Sequence, residues 1–190
     1  MKIRPWLGIV LAATLGGCAL SPQTVAIKPL IDARSYPIGR GRSLALEVVD
    51  QRPVAHFGTR GGLYDTAFIS PRTEVAPVIR QALAERLGAD GFKVTLDQAS
   101  APLAIRVEIQ RIDYIASGDP MKKEVRVEVA IRAVTRNGGR TLTSQYRASK
   151  THQVLTPPDE VENEAIINEV VAEALRRLLQ DGALLDLLGQ

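Results

Sequence analysis

Five segments of the chain alternate apolar and polar residues with the two-residue period of a half-buried β-strand. The clearest is EVRVEVAIRAV, residues 124–134, in which valine or isoleucine occupies every second position from Val125 to Ile131. The other four segments cover residues 43–50, 92–96, 103–115 and 141–150. The apolar phase shifts after Ile109, so we also expect a β-bulge near Arg111.

Two segments repeat apolar residues at intervals of three and four, which is the period of an amphipathic α-helix. In the first, residues 73–91, Thr73 is placed to cap the start, and Gly88 or Gly91 is placed to end the helix. The second follows Pro158 and ends with a pair of arginines, which suit the negative end of the helix dipole. The acidic residues at its start are Asp159, Glu160, Glu162 and Glu164.

The resulting order is β-α-β-β-β-β-α. The long strands keep one polar side, so only one face of the sheet is covered. Both helices must then bury their apolar stripes on that face. We predict an α+β two-layer sandwich, with a mixed sheet of about five strands and two helices on one face. The predicted core includes Ile105, Val107, Val127, Val129, Ile167, Val171 and Leu178.

Two segments fit this pattern less well. Residues 51–72 form an unusually long connection that is rich in glycine and proline. The tail GALLDLLGQ places four leucines within five residues. We favour a short final turn that folds back and closes the open end of the sandwich. The alternative is that this turn and the 51–72 loop form a surface for a partner.

The first 18 residues, MKIRPWLGIVLAATLGGC, have a charged start, an uncharged apolar stretch and a small-residue end, which is typical of a secretory signal. The apolar stretch is too short to span about 30 Å of hydrocarbon as a helix. It leads into Cys18, the only cysteine of the chain, and this ending resembles a bacterial lipoprotein signal. A cleaved signal with an incidental cysteine, or a buried structural thiol, is the alternative.

The resemblance implies that Cys18 is the lipid attachment site. Its sulfur takes a diacylglycerol, and after cleavage its amine takes a further acyl chain. One chain holds a protein only marginally at a membrane, whereas several hold it stably. Because Ala19 is not the aspartate that retains such proteins at the inner membrane, the resemblance also implies sorting to the outer membrane, facing the periplasm.

The domain boundaries follow from these segments. Residues 1–17 are predicted to be the lipoprotein signal peptide, and residues 18–42 a lipidated tether, because proline and glycine interrupt any period there. Within the tether, TVAIKPL has the composition of a short edge strand. Residues 43–190 are predicted to form a single α+β periplasmic domain.

Together with the signal, the motifs VVDQRP, GTRGG and RNGGRTLTSQYRASK resemble the YajG family of bacterial lipoproteins. The resemblance extends from Cys18 to the final helix and is most specific over residues 136–150. The family has no established biochemical activity, so the resemblance implies an envelope location and a fold but no reaction.

The amino-acid composition disfavours two functional classes, sugar binding and nucleic-acid binding. Apolar residues make up 45% of the chain and aromatic residues only 4%, so the core must be mainly aliphatic and sugar stacking is disfavoured. The net charge is +3, but Lys2 and Arg4 lie in the signal segment, and the rest shows no clustered basic face of the kind that binds nucleic acid.

Candidate catalytic residues are few. His56 and His152 are far apart in the sequence, and we expect both on the solvated surface. Asp50 and Arg52 could orient a ligand, but a local ion pair is favoured. GTRGG lacks the Lys-Ser/Thr of a phosphate loop, and the acidic residues at 159–164 lack the spacing of a calcium loop. We therefore predict no enzyme, no cofactor and no metal site.

The sequence thus predicts an outer-membrane-anchored periplasmic lipoprotein that acts as a non-enzymatic protein-binding or envelope assembly module. Its expected partners are the membrane, through Cys18, and an envelope protein, with no nucleic acid. The alternative is a lipid or glycan ligand carrier. A carrier should contain a deep apolar cavity, whereas a protein-binding module should present an exposed strand edge or an apolar patch.

Overall fold

The computed structural model describes residues 21–61, 66–97, 101–119 and 122–190. Within these residues, eight strands form one mixed sheet, curled into a half-barrel, and three helices accompany it. The strands are β1 (Gln23–Val25), β2 (Ser43–Asp50), β3 (Gly58–Thr59), β4 (Phe68–Pro71), β5 (Lys93–Thr95), β6 (Leu103–Asp119), β7 (Lys122–Asn137) and β8 (Arg140–Val154). The helices are α1 (Val75–Ala89), α2 (Glu160–Leu179) and α3 (Gly182–Gly189). The α+β class is confirmed, but the predictions of about five strands and two helices were too low.

Strand β6 organises the sheet. One of its edges pairs antiparallel with β7, and β7 pairs in turn with β8. Its other edge is shared, because β2 pairs in parallel with residues 103–109, and β3 pairs with Tyr114. The register shifts between Ile109 and Arg111, which confirms the predicted bulge. The bulge thus lies where one neighbour of β6 ends and the next begins.

The prediction lacked β3 and β4, which lie in the segment predicted as a loop, and it contained β1 only as a possible edge strand in TVAIKPL. They contain two to four residues, too few to show a period. The GTRGG motif supplies β3, and its Gly58 lies so close to β6 that an added Cβ would come within 2.0 Å of the Tyr114 carbonyl oxygen. This glycine is therefore needed for a close approach of two strands.

The N-terminal segment from Gln23 onward is part of the folded domain. Val25 and Ile27 are buried, and β1 pairs in parallel with β4. The Ala26 N–H donates to Glu164 Oε2 over 2.8 Å, and Asn168 Nδ2 donates to the Ala26 carbonyl over 2.8 Å. Much of the predicted tether, residues 18–42, thus packs on the domain, because its apolar side chains find a place beside α2.

The start of α1 differs from the prediction, whereas the start of α2 agrees with it. Helix α1 begins after Glu74 without a side-chain cap, so Thr73 is not its cap. Helix α2 begins with a capping box, in which Asp159 accepts from the Glu162 N–H and Glu162 accepts from the Asp159 N–H. The acidic start of α2 therefore has a structural explanation.

The core lies between the sheet and the helices. All seven predicted core residues are buried, in one cluster that also contains residues of α1, α2 and α3. The opposite face of the sheet is charged, as the alternation predicts. There Arg106 pairs with Glu47 at 2.6 Å and with Glu108 at 3.1 Å, and Arg132 also pairs with Glu108 at 3.1 Å. A search of the described residues finds no helix long and apolar enough to cross a bilayer.

Candidate functional site

The two histidines have separate surroundings. His56 stacks on Phe68, with ring centroids 4.6 Å apart, whereas His152 Nε2 lies 3.5 Å from a carboxylate oxygen of Glu169. Both side chains are half-buried, because each packs on a neighbouring element, so they are less solvated than the sequence predicts. Among the described residues, no group of three or more His, Cys, Asp and Glu side chains could hold a metal ion.

Asp50 and Arg52 form a local ion pair at the end of β2. Arg52 Nε donates to Asp50 Oδ1 over 2.9 Å, and Arg52 Nη2 donates to Asp50 Oδ2 over 2.8 Å. The guanidinium also donates to the Ala55 carbonyl and lies 5.0 Å from the centre of the Phe57 ring. A two-bond pair of this kind fixes geometry, so the VVDQRP motif holds β2 against the loop that follows it.

A polar cluster fixes the point where the N-terminal chain joins α2. The amide groups of Asn163 and Gln23 are hydrogen-bonded over 2.7 Å, and Asn163 is fully buried. Arg60 Nη2 donates to the Pro158 carbonyl over 3.0 Å, and its Nη1 donates to the Ser21 carbonyl over 3.2 Å. No sequence pattern indicated this cluster, since its members come from three distant segments.

Strand β8 forms an open edge of the sheet. It contains 15 residues and, within the described part of the chain, pairs only with β7. Gly138 and Gly139 form the hairpin turn between the paired residues Asn137 and Arg140, and Gly138 has a φ of +55°. This confirms the hairpin that the RNGGR motif indicated.

The hairpin determines which backbone groups of β8 face outward. The residue pair that flanks a two-residue turn exchanges backbone hydrogen bonds, and such pairs then alternate along the ladder. The even-numbered residues of β8 therefore bond to β7, and the odd-numbered residues from Thr141 to Gln153 direct their N–H and C=O groups to the open edge. One contact agrees with this assignment, since Arg177 Nη1 donates to the Arg147 carbonyl over 2.6 Å.

Two depressions flank this edge, one on each face of the sheet. The inner depression, about 540 Å³, lies between β8 and α2 and is lined by Lys150, Glu173 and Leu30 among others. The outer depression, about 600 Å³, lies on the charged face. Ala148 and Ser149 line both. A strand added beside β8 would direct its side chains alternately to the two faces, and so into these depressions.

The depressions differ in charge. In the inner one, Lys150 pairs with Glu169, and Glu173 accepts hydrogen bonds from Arg177 and Arg176, which lower the pKa of the Glu173 carboxyl. The outer one is lined by Glu128 and by four arginines, Arg111, Arg126, Arg147 and Arg177. The outer depression therefore favours acidic side chains, whereas the inner one offers both signs of charge beside an apolar wall.

These features define an α+β domain with a long open strand edge. The chain belongs to a family of uncharacterized lipoproteins, whose model matches residues 29–188. This confirms the predicted membership of the YajG-type bacterial lipoproteins. A search of curated proteins finds no match to the chain.

Solved structures resemble this chain at low sequence identity. Protein XCC0632 from Xanthomonas campestris has a TM-score of 0.55 and 10% identity, covering 83% of this chain and 92% of that one. A minor lipoprotein from Acinetobacter baumannii has a TM-score of 0.41 and 14% identity, covering 75% of this chain and 95% of that one. At 10% identity, the first likeness supports the fold alone.

Proposed function

We propose that this chain is an outer-membrane lipoprotein, anchored through Cys18 and facing the periplasm, that binds an envelope protein without catalysing a reaction. Membership of the lipoprotein family supports the membrane anchor. Cys18 and Ala19 lie outside the described residues, so their roles in lipid attachment and sorting rest on the sequence alone.

The observation that carries the proposal is the open edge of β8. An extended segment of a partner can add to such an edge, because main-chain hydrogen bonds supply affinity and alternate side-chain pockets supply specificity. Strand β8 offers outward backbone groups from Thr141 to Gln153, except the Arg147 carbonyl, which accepts from Arg177, and a depression lies on each side near Ser149. The partner segment would place acidic side chains over the outer depression and longer, partly apolar ones over the inner depression.

The alternative of a lipid or glycan carrier is less well supported. A carrier encloses its ligand in a mostly apolar cavity. The depressions beside β8 are instead lined largely by charged side chains, such as Glu169, Arg176 and Arg126. Charged walls suit a peptide backbone with polar side chains better than an acyl chain.

The anchor is tested by replacing Cys18. We expect Cys18→Ala to abolish membrane association, because Cys18 is the only cysteine of the chain and a thioether-linked lipid needs a thiol. Ala19→Asp should keep the lipid but shift the protein toward the inner membrane. Fractionation of inner and outer membranes measures both effects. An unchanged outer-membrane position of Cys18→Ala would contradict the anchor.

The binding edge is tested by a matched pair of substitutions at Ser149. Its N–H faces outward, so Ser149→Pro removes one donor and obstructs an added strand, while the bonds between β7 and β8 remain. Ser149→Ala changes the side chain but keeps the donor. A photoreactive residue at exposed Thr151 reports on contact in living cells, and one at exposed Gln81 on α1 serves as the positional control.

We expect a discrete crosslinked protein from position 151, retained in Ser149→Ala and reduced about tenfold or more in Ser149→Pro. Position 81 should give no such product. Thermal melting of both Ser149 variants checks that the fold persists. Equal crosslinking in the two variants, with both folded, would contradict binding at this edge.

A further inference from the structure

The N-terminal chain leaves the described domain at a fixed place. The Ser21 carbonyl accepts from Arg60 Nη1 over 3.2 Å, and Gln23 is buried against Asn163. Only two residues separate Ser21 from Cys18 in the sequence. An extended chain covers about 3.3–3.6 Å per residue, so Ser21 lies within about 11 Å of the Cys18 backbone.

Large apolar side chains are exposed at this same end of the domain. Phe68 precedes Ile69, which pairs with Gln23, and 40% of its surface is exposed. Leu155 is 94% exposed and follows the last residue of β8, three residues before the Pro158 carbonyl that binds Arg60. Val161, 76% exposed, lies in the first turn of α2. We call Phe68, Leu155 and Val161, with Ser21, the anchor end.

We propose that the anchor end rests on the bilayer and inserts Phe68, Leu155 and Val161 into its interface. The inference rests on the proposed lipid at Cys18, which leaves too short a connection to hold this end away from the membrane. Apolar side chains at a membrane interface gain the free energy of leaving water. We assign the lipid surface as the occupant of this patch because the segment that contains Cys18 joins the described domain here, at Ser21.

The charges at the anchor end indicate the type of lipid surface. Arg72 Nη2 pairs with Glu160 at 2.7 Å, and Val161 lies between Glu160 and Glu162 in the sequence, within the segment spanned by the Asp159–Glu162 capping box. Cationic and acidic groups are thus mixed, so attraction to anionic headgroups is not the main contribution. Binding should therefore occur on zwitterionic phosphatidylcholine, through the apolar side chains.

A single tryptophan makes a direct probe. Trp6 is the only tryptophan of the chain and lies in the predicted signal, so the processed protein has none. Leu155→Trp places the probe at the anchor end. Leu96→Trp is the matched control, because Leu96 is also an exposed leucine, at 68%, and follows β5, which pairs with the start of β2 at the opposite end of the sheet. Both variants, processed and lipidated, are reconstituted into phosphatidylcholine vesicles with brominated acyl chains.

We expect bromine to quench the emission of Leu155→Trp about twofold or more, and to leave that of Leu96→Trp unchanged. Flotation of the vesicles tests the anchor separately. If the protein floats but Leu155→Trp is not quenched, the anchor stands and the membrane contact is wrong. If Leu155→Trp is shifted to shorter wavelength at high protein density without quenching, a second copy covers the patch and the lipid assignment is overturned. If the protein does not float, both the anchor and the contact fail.

Discussion

The apolar side chains that follow the last strand differ in exposure between the two ends of the domain, although Leu96, at the end opposite the anchor end, is also exposed. At the anchor end, Leu155 and Val161 are exposed, whereas at the opposite end, which we call the closed end, Leu184 and Leu188 of α3 are only 1% exposed. The closed end therefore confirms that the leucine-rich tail folds back over the sheet. Whether an apolar side chain is buried here depends on whether another helix or strand packs over it.

The covering element at the closed end is held by polar contacts as well as by leucines. Asp181 caps α3 and accepts a hydrogen bond of 2.6 Å from the Tyr146 hydroxyl. Asn137 Nδ2 donates to the Leu187 carbonyl over 2.9 Å, and Arg42 donates to the Leu188 carbonyl. Because these contacts come from three separate segments, α3 has a defined position. Exposed Leu155 and Val161 have no such cover within the described residues, which is consistent with the proposed membrane contact.

Deleting residues 183–190, which form most of α3, should cause the largest loss of stability at the closed end. It removes the buried side chains Leu184, Leu187 and Leu188, each of which contributes roughly 1.5–3 kcal/mol when fully buried. We expect the free energy of unfolding to fall by several kcal/mol in urea titration, with a large drop in Tm.

The control for this deletion is the double variant Leu155→Ala and Val161→Ala. Because both side chains are exposed, we expect its stability in solution to change by about 0.5 kcal/mol or less. If the deletion leaves Tm unchanged, α3 does not seal the closed end. If the double variant loses as much stability as the deletion, the anchor end belongs to the core, and the contrast between the ends is wrong.

The long elements could be predicted because their periods repeat many times. Strand β2 has the predicted bounds, residues 43–50, and the phase shift near Arg111 marks a real bulge. Strands β3 and β4 could not be predicted, because two to four residues carry no period and their pairing depends on Tyr114 and Gln23, which are remote in sequence.

The candidate binding site was predictable only in part. The sequence predicts a strand over residues 141–150, but its position at an edge follows from the order of strands, which is set by contacts between distant segments. The separation of His56 from His152 also follows from tertiary packing, on Phe68 and Glu169 respectively. Local patterns therefore identify which residues form strands, and only the assembled sheet shows which strand can receive a partner.

At high pH, the free energy of unfolding should also respond to a buried tyrosine at each end, although this effect is smaller. Each end has a buried tyrosine, Tyr114 beside β3 toward the anchor end and Tyr146 beneath α3 at the closed end. Burial raises the pKa of Tyr114 to about 12. Burial, and then the hydrogen bond donated to the Asp181 carboxylate, raise the pKa of Tyr146 above its ordinary value. Both shifts arise because the ionised phenolate is poorly accommodated in the native state.

The direction of the pH dependence follows from proton binding. An unfolded tyrosine releases its proton near pH 10, whereas these two keep theirs in the native state to higher pH. The stability they contribute is therefore complete below about pH 10 and is lost as the pH rises toward 12, by at most about 1.4 kcal/mol per pH unit for each group. Tyr114→Phe and Tyr146→Phe should each make the decline between pH 10 and 11.5 shallower.

The two tyrosine variants should differ in stability at neutral pH, because only Tyr146 donates a hydrogen bond to Asp181 at the closed end. Tyr146→Phe removes the hydrogen bond to Asp181, so it should cost about 1–3 kcal/mol at pH 7 and loosen α3. Tyr114→Phe leaves that bond intact and should cost less. Urea titrations of both variants and the parent chain, from pH 7 to pH 11.5, measure the two effects together. Parallel curves for all three would show that neither tyrosine is shielded from ionisation, and an equal loss at pH 7 would show that Asp181 does not hold the closed end through Tyr146.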